Sequence, residues 1–293
     1  DSAAGATAFA SGVKTYNGAI GVDPDTTHVA TLIELVQHKK VKTGVIATSS
    51  ITHATPACFY AHQVVRRMHE EIALDLSKSD VDFFAGGGLR FFTKRKDSVD
   101  LTKKMNDSGF YINTEKLEEI QTIKEHNKVG FLLADNAMPK IQDGRGDFLP
   151  KATQLGIDFL KNENGFFMMV EGSQIDWGGH QNDSSYAIAE LIDFDDAIGK
   201  ALDFARKDGN TLVIVTSDHE TGGFTLASKT KKRDDGREYS DYAEVDVTFS
   251  TTGHSATLIP VFAYGPGAEE FKGIYENNEI FHKIVQVTGW GAK

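Results

Sequence analysis

The chain has 293 residues, 42 acidic and 31 basic side chains, and a formal net charge of −11 when its 10 histidines are neutral. Its 25% charged and 40% apolar residues exclude a disordered tail, and no stretch approaches the roughly 20 apolar residues that a membrane-spanning helix needs. The acidic balance disfavours nucleic acid as a partner, because a phosphate backbone attracts clustered Lys and Arg. We therefore expect a soluble globular protein with no membrane span and no specific nucleic-acid binding.

The N-terminal residues Asp1-Ser2-Ala3-Ala4 include neither an initiator Met nor the apolar run of a secretory signal. We expect the chain to be a fragment whose targeting segment was cleaved or never included. Residues 1–12 predict a helix that opens at Ser2 and is stopped by Gly12. A serine at this place is most often the N-cap, but the free backbone N–H groups there would also bind a phosphate or another anion.

Short apolar runs alternate with amphipathic stretches along most of the chain. The apolar runs predict buried strands at residues 41–48, 81–85, 129–134, 166–170, 211–216 and 259–264. Apolar spacing of three and four residues predicts helices at residues 29–39, 114–123, 149–161, 186–206 and 279–287. This alternation predicts an α/β fold, a three-layer sandwich whose mostly parallel central sheet is covered by helices on both faces. Such sheets bind ligands beyond the carboxyl ends of their strands.

One segment interrupts this pattern. Residues 229–242 are strongly charged and lack an apolar stripe, so we expect a surface excursion there. We treat residues 225–250 as a small surface insertion. The remaining length fits one large domain that spans residues 1–293.

Candidate ligands follow the strand predicted at residues 41–48. Thr55 offers a hard oxygen that suits Mg²⁺, and it lies in the motif Thr52-His53-Ala54-Thr55-Pro56. Arg66 and Arg67 lie about three turns further on if the segment from Pro56 is helical. The planar fork of arginine suits phosphate, although exposed helix positions are the commoner place for arginine.

A second polar group follows the strand predicted at residues 166–170. Glu171 ends the strand, Asp176 comes five residues later, and His180 four after that. These side chains could surround one cavity, where Asp and His suit Zn²⁺ and a Glu among oxygen donors suits Mg²⁺. A polar loop with a helix cap at Asp176 is an equally open interpretation.

A third group stands at the end of the strand predicted at residues 211–216. Asp218 and His219 follow it directly, and Gly222 and Gly223 permit a tight turn. Taken alone, the segment is explained better by a capped polar turn than by metal ligands. Because this strand and the one at 166–170 would belong to one sheet, the two groups together suggest two neighbouring ions.

His254 precedes the last predicted strand. A histidine after glycine is more often a loop residue than a ligand, because a neutral imidazole readily bonds to backbone groups. Here it could complete a zinc site with Asp176 and His180.

Five short motifs resemble, in order, the active-site motifs of the alkaline phosphatases. They are Asp1-Ser2-Ala3-Ala4, His53-Ala54-Thr55-Pro56, Val170-Glu171-Gly172 with Ile175-Asp176 and His180, Thr216-Ser217-Asp218-His219-Glu220-Thr221-Gly222-Gly223, and Thr252-Gly253-His254. They match that family in residue type, order and approximate spacing from the first residue to about residue 267. Each motif is short, but five in order make coincidence very unlikely. The resemblance implies a metal-dependent phosphomonoester hydrolase with that family's sandwich fold.

The resemblance also implies a role for each matching residue. Ser2 would be the nucleophile that becomes phosphorylated, Arg66 would hold two phosphate oxygens, and Asp1 would orient Arg66. Two Zn²⁺ ions and one Mg²⁺ ion are implied: Asp176, His180 and His254 would bind one zinc, Asp218 and His219 the other, and Thr55 and Glu171 the magnesium. The cations and Arg66 would neutralise the charge of the transferring phosphoryl group, and water would then hydrolyse the phosphoserine.

Two positions vary within that family. His53 stands where some members have an aspartate near the magnesium, and Trp177 stands where others have lysine or histidine near the phosphate. We treat both as substrate-binding candidates, with packing as the equal alternative for Trp177. The family also supplies a bridging aspartate from a strand that precedes the nucleophile helix. We expect this chain to lack that strand and that ligand, which could leave it inactive.

Other functions remain open at this point. A related phosphodiesterase or sulfatase would share the fold, although Ser2 lacks the Cys/Ser-x-Pro-x-Arg setting of sulfatases, and phosphodiesterases usually use threonine as nucleophile. A non-catalytic phosphate- or metal-binding protein would keep the fold without turnover. The resemblance also implies small phosphate monoesters as substrates, a homodimer, and export to the periplasm or the outside of the cell.

Overall fold

The structure, a computed structural model, describes residues 1–291 of the chain. Its strands are β1 (Lys42–Ser50), β2 (Phe83–Gly87), β3 (Phe110–Asn113), β4 (Lys128–Leu132), β5 (Phe166–Glu171), β6 (Val213–Val215), β7 (Glu220–Thr221), β8 (Thr225–Lys232), β9 (Glu238–Thr248), β10 (His254–Ser255) and β11 (Phe262–Tyr264). Its α-helices are α1 (Ser2–Ser11), α2 (Leu32–Val36), α3 (Ala54–Ala57), α4 (His69–Lys78), α5 (Arg90–Thr93), α6 (Leu101–Asp107), α7 (Ile120–Ile123), α8 (Phe148–Leu160), α9 (Gln174–His180), α10 (Ser184–Asp208) and α11 (Glu279–Thr288). Short 3₁₀ helices occupy Gln37–Lys39, Ile141–Asp143 and Ala268–Phe271.

A five-stranded parallel sheet lies at the centre, in the order β3-β4-β2-β1-β5. In β1, Val45 pairs with Phe84 on one side and with Met169 on the other. Successive strand residues point to opposite faces, so Val45 and Ile46 enter two different buried clusters. Helices α1 and α4 contribute to the first cluster and α8 to the second. The predicted three-layer α/β sandwich is therefore confirmed.

Helix α10 supports the side of the molecule where the predicted ligands lie. Asp183 caps its start by accepting a hydrogen bond from the backbone N–H of Tyr186, and Gly209, with φ of 72°, ends it. The helix packs against both α8 and α9, and it turns Tyr186 and Glu190 into the interior. Within residues 1–291, no helix has both the length and the apolar character that crossing a membrane requires.

Several predictions of local structure were wrong. The strand predicted at 211–216 is only the short β6, which pairs antiparallel with β11 and lies outside the five-stranded sheet. The helix predicted at 114–123 is reduced to α7, because the Asn113 side chain accepts from the next backbone N–H groups and forms a turn instead. The helix considered after Pro56 ends at Ala57, since Gln63 forms a bridge with Ile20 that draws the chain out of helical conformation.

The segment 225–250 contains an ordered hairpin. Strands β8 and β9 pair antiparallel from Thr225 with Thr248 to Lys232 with Glu238. Most side chains on both of its faces are exposed, so no apolar alternation marks these strands in the sequence. A surface excursion was expected here, but the hairpin was not. Its description as an insertion in a single domain spanning residues 1–293 stays a prediction.

Candidate active site

Helix α1 begins at Ser2 and is stopped by Gly12, as predicted, but its N-cap is Asp1. The Asp1 Oδ1 atom accepts hydrogen bonds from the backbone N–H groups of Ala4 at 3.1 Å and Gly18 at 2.9 Å. The carboxylate of Asp1 is therefore the N-cap of α1, the role that the sequence analysis assigned most often to Ser2. The interpretation of Ser2 as an N-cap is therefore wrong, and its hydroxyl is available for other contacts.

The Ser2 hydroxyl points to the segment that follows β6. Its Oγ is hydrogen-bonded to His219 Nε2 at 3.1 Å, and the same Nε2 lies 3.1 Å from Asp218 Oδ2. Burial alone would raise the pKa of Asp218, but the contact with His219 outweighs it and lowers the pKa below its usual range. Ser2 itself is only 7% exposed. The predicted nucleophile and two predicted ligands thus meet in one place.

Small residues in α1 allow this close approach. A Cβ placed on Gly5 would lie 3.1 Å from the Cβ of Asp218, which is tighter than ordinary side-chain contact. The neighbouring Ala3 and Ala6 are completely buried. The run of alanine, glycine and serine therefore lets the start of α1 reach the Asp218 segment.

Asp1 also binds Arg66. Arg66 donates from Nη1 to Asp1 Oδ2 at 2.8 Å, and its backbone N–H donates to Gly18 at 2.7 Å. Arg67, in contrast, is exposed. The loop after α3, rather than the helix considered from sequence, presents Arg66, and Asp1 holds its guanidinium through one carboxylate oxygen while capping α1 with the other.

His53 and Trp177 form the side of the site nearest Arg66. Their rings meet edge to face with centroids 5.8 Å apart, and His53 Nε2 lies 3.5 Å from Arg66 Nη2. Burial, together with the charges of Arg66 and His69, lowers the pKa of His53 to about 3. The His53 ring is therefore neutral and packs beside the arginine without competing for an anion.

Helix α9 brings Asp176 and His180 onto one face, four residues apart. Asp176 Oδ1 lies 3.4 Å from His180 Nε2 and 3.6 Å from His254 Nε2, and the two histidine Nε2 atoms are 3.2 Å apart. Asp176 is the third residue of α9, so the alternative of a helix cap at this position is wrong. The His219 ring stacks on His254 at 3.4 Å.

The two ligand groups do not meet through a shared sheet, as the sequence suggested. Strands β5 and β6 belong to different sheets among the described residues. Instead α9 packs on β7, where a Cβ on Gly179 would lie 2.7 Å from the Thr221 carbonyl oxygen. Strand β7 in turn pairs with β10, which sets His254 opposite Thr221.

Sequence reasoning missed Thr221 and Glu220 as parts of the site. The Thr221 hydroxyl donates to Asp176 Oδ1 at 2.6 Å and lies 3.2 Å from His219 Nδ1, so it joins the two ligand groups. Glu220 accepts hydrogen bonds from the backbone of Gly223 and Phe224. It also accepts from the hydroxyl of Ser255, the neighbour of His254. Both residues lie within a motif already singled out, but the bonds to Asp176 and Ser255 that tie them to the other ligand groups span remote parts of the sequence.

Thr55 and Glu171 lie together, as the resemblance implied. The Thr55 hydroxyl bonds to the half-buried Glu171 carboxylate, which also accepts from Ser173. Burial raises the pKa of Glu171 to about 7; the two hydroxyl hydrogen bonds oppose this rise, and the charges of Asp218 and Asp176 add to it. Sequence reasoning did not identify Ser173, whose Oγ also bonds to Ser49 Oγ at 3.0 Å.

The residues of this cluster fit metal cations. One ligand atom from each of Asp176, His219 and His254 lies within 4.8 Å of the others. Asp218 Oδ2 is buried and receives no well-aligned hydrogen bond from the described residues. The mixed carboxylate and imidazole set suits Zn²⁺, and the oxygen-only pair of Thr55 and Glu171 suits Mg²⁺. A cation would satisfy the orphaned carboxylate oxygen and the converging histidine nitrogens.

Comparisons with known proteins point to one family. The family model described as Alkaline phosphatase matches residues 1–233 and 227–289. Alkaline phosphatase 4 of Bacillus subtilis (strain 168) is 36% identical over 99% of this chain and 77% of its own length. The solved alkaline phosphatase of the Antarctic bacterium TAB5 is 63% identical, with a TM-score of 0.94 over 99% of this chain and 84% of that chain. A mutant of the TAB5 enzyme with magnesium bound in its M3 site matches with 64% identity and a TM-score of 0.95, over the same shares. The chain belongs to the alkaline phosphatase family and is a phosphomonoester hydrolase.

Proposed function

We propose that this chain hydrolyses phosphate monoesters through a phosphoserine on Ser2. The observation that carries the proposal is the contact of the Ser2 hydroxyl with His219 Nε2, which also lies 3.1 Å from Asp218 Oδ2, while Asp1 caps the helix in place of Ser2. A buried hydroxyl beside two ligand-type side chains is placed to act as an activated nucleophile.

Two displacements at phosphorus account for the reaction. Ser2 Oγ forms a bond to phosphorus as the bond to the ester oxygen breaks, and the alcohol leaves with the proton that Ser2 gives up. Water then forms a bond to phosphorus, the bond to Ser2 Oγ breaks, and Ser2 regains a proton. Inorganic phosphate is released, with two in-line displacements and therefore retention of configuration.

Arg66 and the start of α1 supply positive potential for the phosphoryl oxygens. The Arg66 guanidinium donates from Nη1 to Asp1, and its remaining N–H groups would donate to the phosphate oxygens. The positive end of the α1 dipole lies at Ser2 and favours an anion there. The neutral His53 and the ring of Trp177 border this pocket as substrate-binding residues.

We assign two zinc ions and one magnesium ion to the ligand groups. Asp176, His180 and His254 would hold one zinc, Asp218 and His219 the second, and Thr55 and Glu171 the magnesium. When bound, such cations act as Lewis acids that favour an oxygen nucleophile and offset phosphoryl charge. The family resemblance supports the number of ions and their grouping, and the close approach of the proposed zinc ligands to one another supports binding of shared cations.

Serine substitutions within α1 test the proposed nucleophile. Ser2→Ala should reduce kcat toward p-nitrophenyl phosphate by several orders of magnitude. Ser11→Ala is a matched control, because Ser11 is also 7% exposed on the same helix and donates only to the Thr7 backbone. Equal activity of both variants would refute the role of Ser2. A wild-type protein that binds phosphate but shows no turnover would favour the non-catalytic alternative.

We also propose that the protein forms a homodimer and is exported to the periplasm or out of the cell, both from the family resemblance. Light scattering of the purified protein tests the first proposal, with a mass near twice 32.0 kDa expected. Cell fractionation of the natural host tests the second. A monomeric mass or retention in the cytoplasm would contradict them.

A further inference from the structure

Gln174, the first residue of α9, uses every hydrogen-bonding atom of its side chain. Its Nε2 donates to the backbone carbonyl oxygens of Thr48 at 2.9 Å and Met138 at 2.8 Å. Its Oε1 accepts from the Tyr186 hydroxyl at 2.7 Å. Gln174 is 1% exposed and Tyr186 is completely buried. A buried amide with all three partners joins the end of β1, the loop after β4 and helix α10 at one point.

Two of these three partners are fixed to each other by a buried charge network. Arg145 Nη2 donates to Asp193 at 2.8 Å and also to Glu190, both on α10. Arg145 Nη1 donates to the Pro139 carbonyl oxygen, and Glu190 accepts from the backbone N–H of Ile141. The loop that presents the Met138 carbonyl is therefore bound to the helix that carries Tyr186. Gln174 therefore bonds to a loop and a helix that are already held together by Arg145.

Helix α9 depends on such contacts for its position. It has seven residues, and isolated helices shorter than about 12–15 residues are marginal in water. A Cβ on Gly178 would lie 2.6 Å from the backbone nitrogen of Ala187 in α10, and one on Gly179 would meet Thr221. Helix α9 is therefore packed tightly between α10 and β7. Gln174 holds its N-terminal end, which precedes the candidate ligands Asp176 and His180.

We propose that Gln174, held by Tyr186, is a positioning residue that sets α9 and thereby the geometry of Asp176 and His180. Asp176 follows Gln174 by two residues, so a shift of the amide moves the carboxylate with it. The inference rests on the proposed function of these two side chains as zinc ligands. It predicts that loss of the amide network weakens zinc binding, although neither Gln174 nor Tyr186 is itself a ligand.

Tyrosine substitutions isolate this effect. Tyr186→Phe keeps the ring and removes only the hydroxyl that holds Gln174. Tyr60→Phe is the matched control, because Tyr60 is 4% exposed and donates one 2.7 Å hydrogen bond to Ile51, outside α9 and α10.

Zinc affinity is measured by competition with a chromophoric chelator. In a Trp290→Phe background Trp177 is the sole tryptophan, so its emission in the metal-free protein reports the position of α9 directly.

The expected result is a loss of about tenfold in zinc affinity for Tyr186→Phe and a shifted Trp177 emission, as for groups that orient metal ligands. Saturating zinc should restore kcat. Tyr60→Phe should match the wild type in both readouts. Wild-type zinc affinity and emission in Tyr186→Phe would overturn the proposal.

Two further variants keep the inference separate from the proposed function. Gln174→Leu removes all three hydrogen bonds and should weaken zinc binding more than Tyr186→Phe; if it does not fold, Tyr186→Phe decides alone. Asp176→Asn tests the ligand role. Unchanged zinc affinity in Asp176→Asn would overturn the ligand assignment and the inference with it. Weakened binding there, with wild-type binding in Tyr186→Phe, would overturn the positioning role of Gln174 only.

Discussion

Ser2 Oγ and His219 Nε2 are hydrogen-bonded at 3.1 Å although 217 positions separate them in the chain. The bond joins the first turn of α1 to the segment that carries two candidate ligands. It forms because Asp1 caps the helix and Gly5 lets α1 approach Asp218. The proposed chemistry depends on this contact between two segments that are far apart in the sequence.

Replacing Asp1 tests the link between the helix cap and Arg66. Asp1→Asn keeps an acceptor for the backbone of Ala4 and Gly18, and asparagine is itself a good cap, so the unfolding free energy should change little. The amide cannot accept from Arg66 as the carboxylate does, and a charged hydrogen bond contributes about 1.5–3 kcal/mol. We expect kcat/KM to fall by roughly 10- to 100-fold. Asp100→Asn, at the cap of α6, should leave kcat/KM unchanged. An unchanged kcat/KM in Asp1→Asn would contradict the orienting role.

Alanine substitutions at two helical glycines distinguish the effect of close packing from the effect of helix propensity. In α1, Gly5→Ala would set a methyl group 3.1 Å from the Asp218 Cβ and should displace the carboxylate. We expect lower activity and weaker zinc binding. In α10, Gly199→Ala meets nothing within 4 Å and should stabilise the protein by about 0.5–1 kcal/mol, as alanine is the better helix former. Activity assays and thermal unfolding of both variants check this contrast. Full activity in Gly5→Ala would show that the approach is not required.

Sequence patterns predicted the inner strands and the long helices well. Strand β1 and strand β5 are recognisable because they are short, apolar and bounded by polar residues, and α10 because its apolar spacing extends over many turns. The β8–β9 hairpin was missed for the opposite reason: its side chains are exposed on both faces, so the usual alternation is absent.

In the candidate site, too, features with a local sequence pattern were predicted and features without one were missed. Ser2, Arg66 and the ligand groups are identifiable from motifs, and the structure brings them together. Asp1 and Ser2 are both good capping residues, so composition alone cannot decide which of them caps α1. Gln174 had no local signal, and Thr221 lies within a motif in which nothing local indicates its role, because the partners of both lie on other elements.

The pair of His62 and Glu34 predicts a pH dependence of stability away from the site. His62 Nε2 lies 2.9 Å from Glu34 Oε1, with His28 stacked on the ring and Asp75 nearby. Burial opposes protonation, but the bonds to Glu34 and Gly21 outweigh it and raise the pKa of His62. Burial likewise opposes the charge of Glu34, yet the contacts with His62 and Thr31 lower its pKa.

The sign of each shift gives the pH window. The stability from His62 is present below its unfolded pKa of about 6.5 and is lost as pH rises through the higher folded value. The stability from Glu34 is present above its unfolded pKa of about 4.3 and is lost as pH falls through the lower folded value. Urea unfolding of Glu34→Gln should therefore show a smaller loss of stability between pH 5.5 and 8.0 than wild type. Glu276→Gln, which loses only an exposed pair with Lys14, should not. Identical pH profiles of Glu34→Gln and wild type would refute the coupling.

Metal removal should lower the thermal stability of the protein. Zinc present at 100 times its dissociation constant stabilises the folded state by about 2.7 kcal/mol, because it binds the folded chain in preference to the unfolded one. We expect the Tm to fall on chelation and to recover when zinc is returned. Asp176→Asn should reduce this shift, whereas Asp241→Asn, on the exposed hairpin, should retain it. A full zinc-dependent shift in Asp176→Asn would contradict its assignment as a ligand.

Identification of the phosphorylated residue tests the central claim most directly. The protein is loaded with zinc and magnesium, mixed with a phosphate monoester, quenched in acid and digested, and the peptides are analysed by mass spectrometry. We expect one phosphate on the N-terminal peptide at Ser2, and no such label in Ser2→Ala. Phosphate on any other residue, or hydrolysis by the wild type with no trapped phosphopeptide together with an active Ser2→Ala variant, would contradict it.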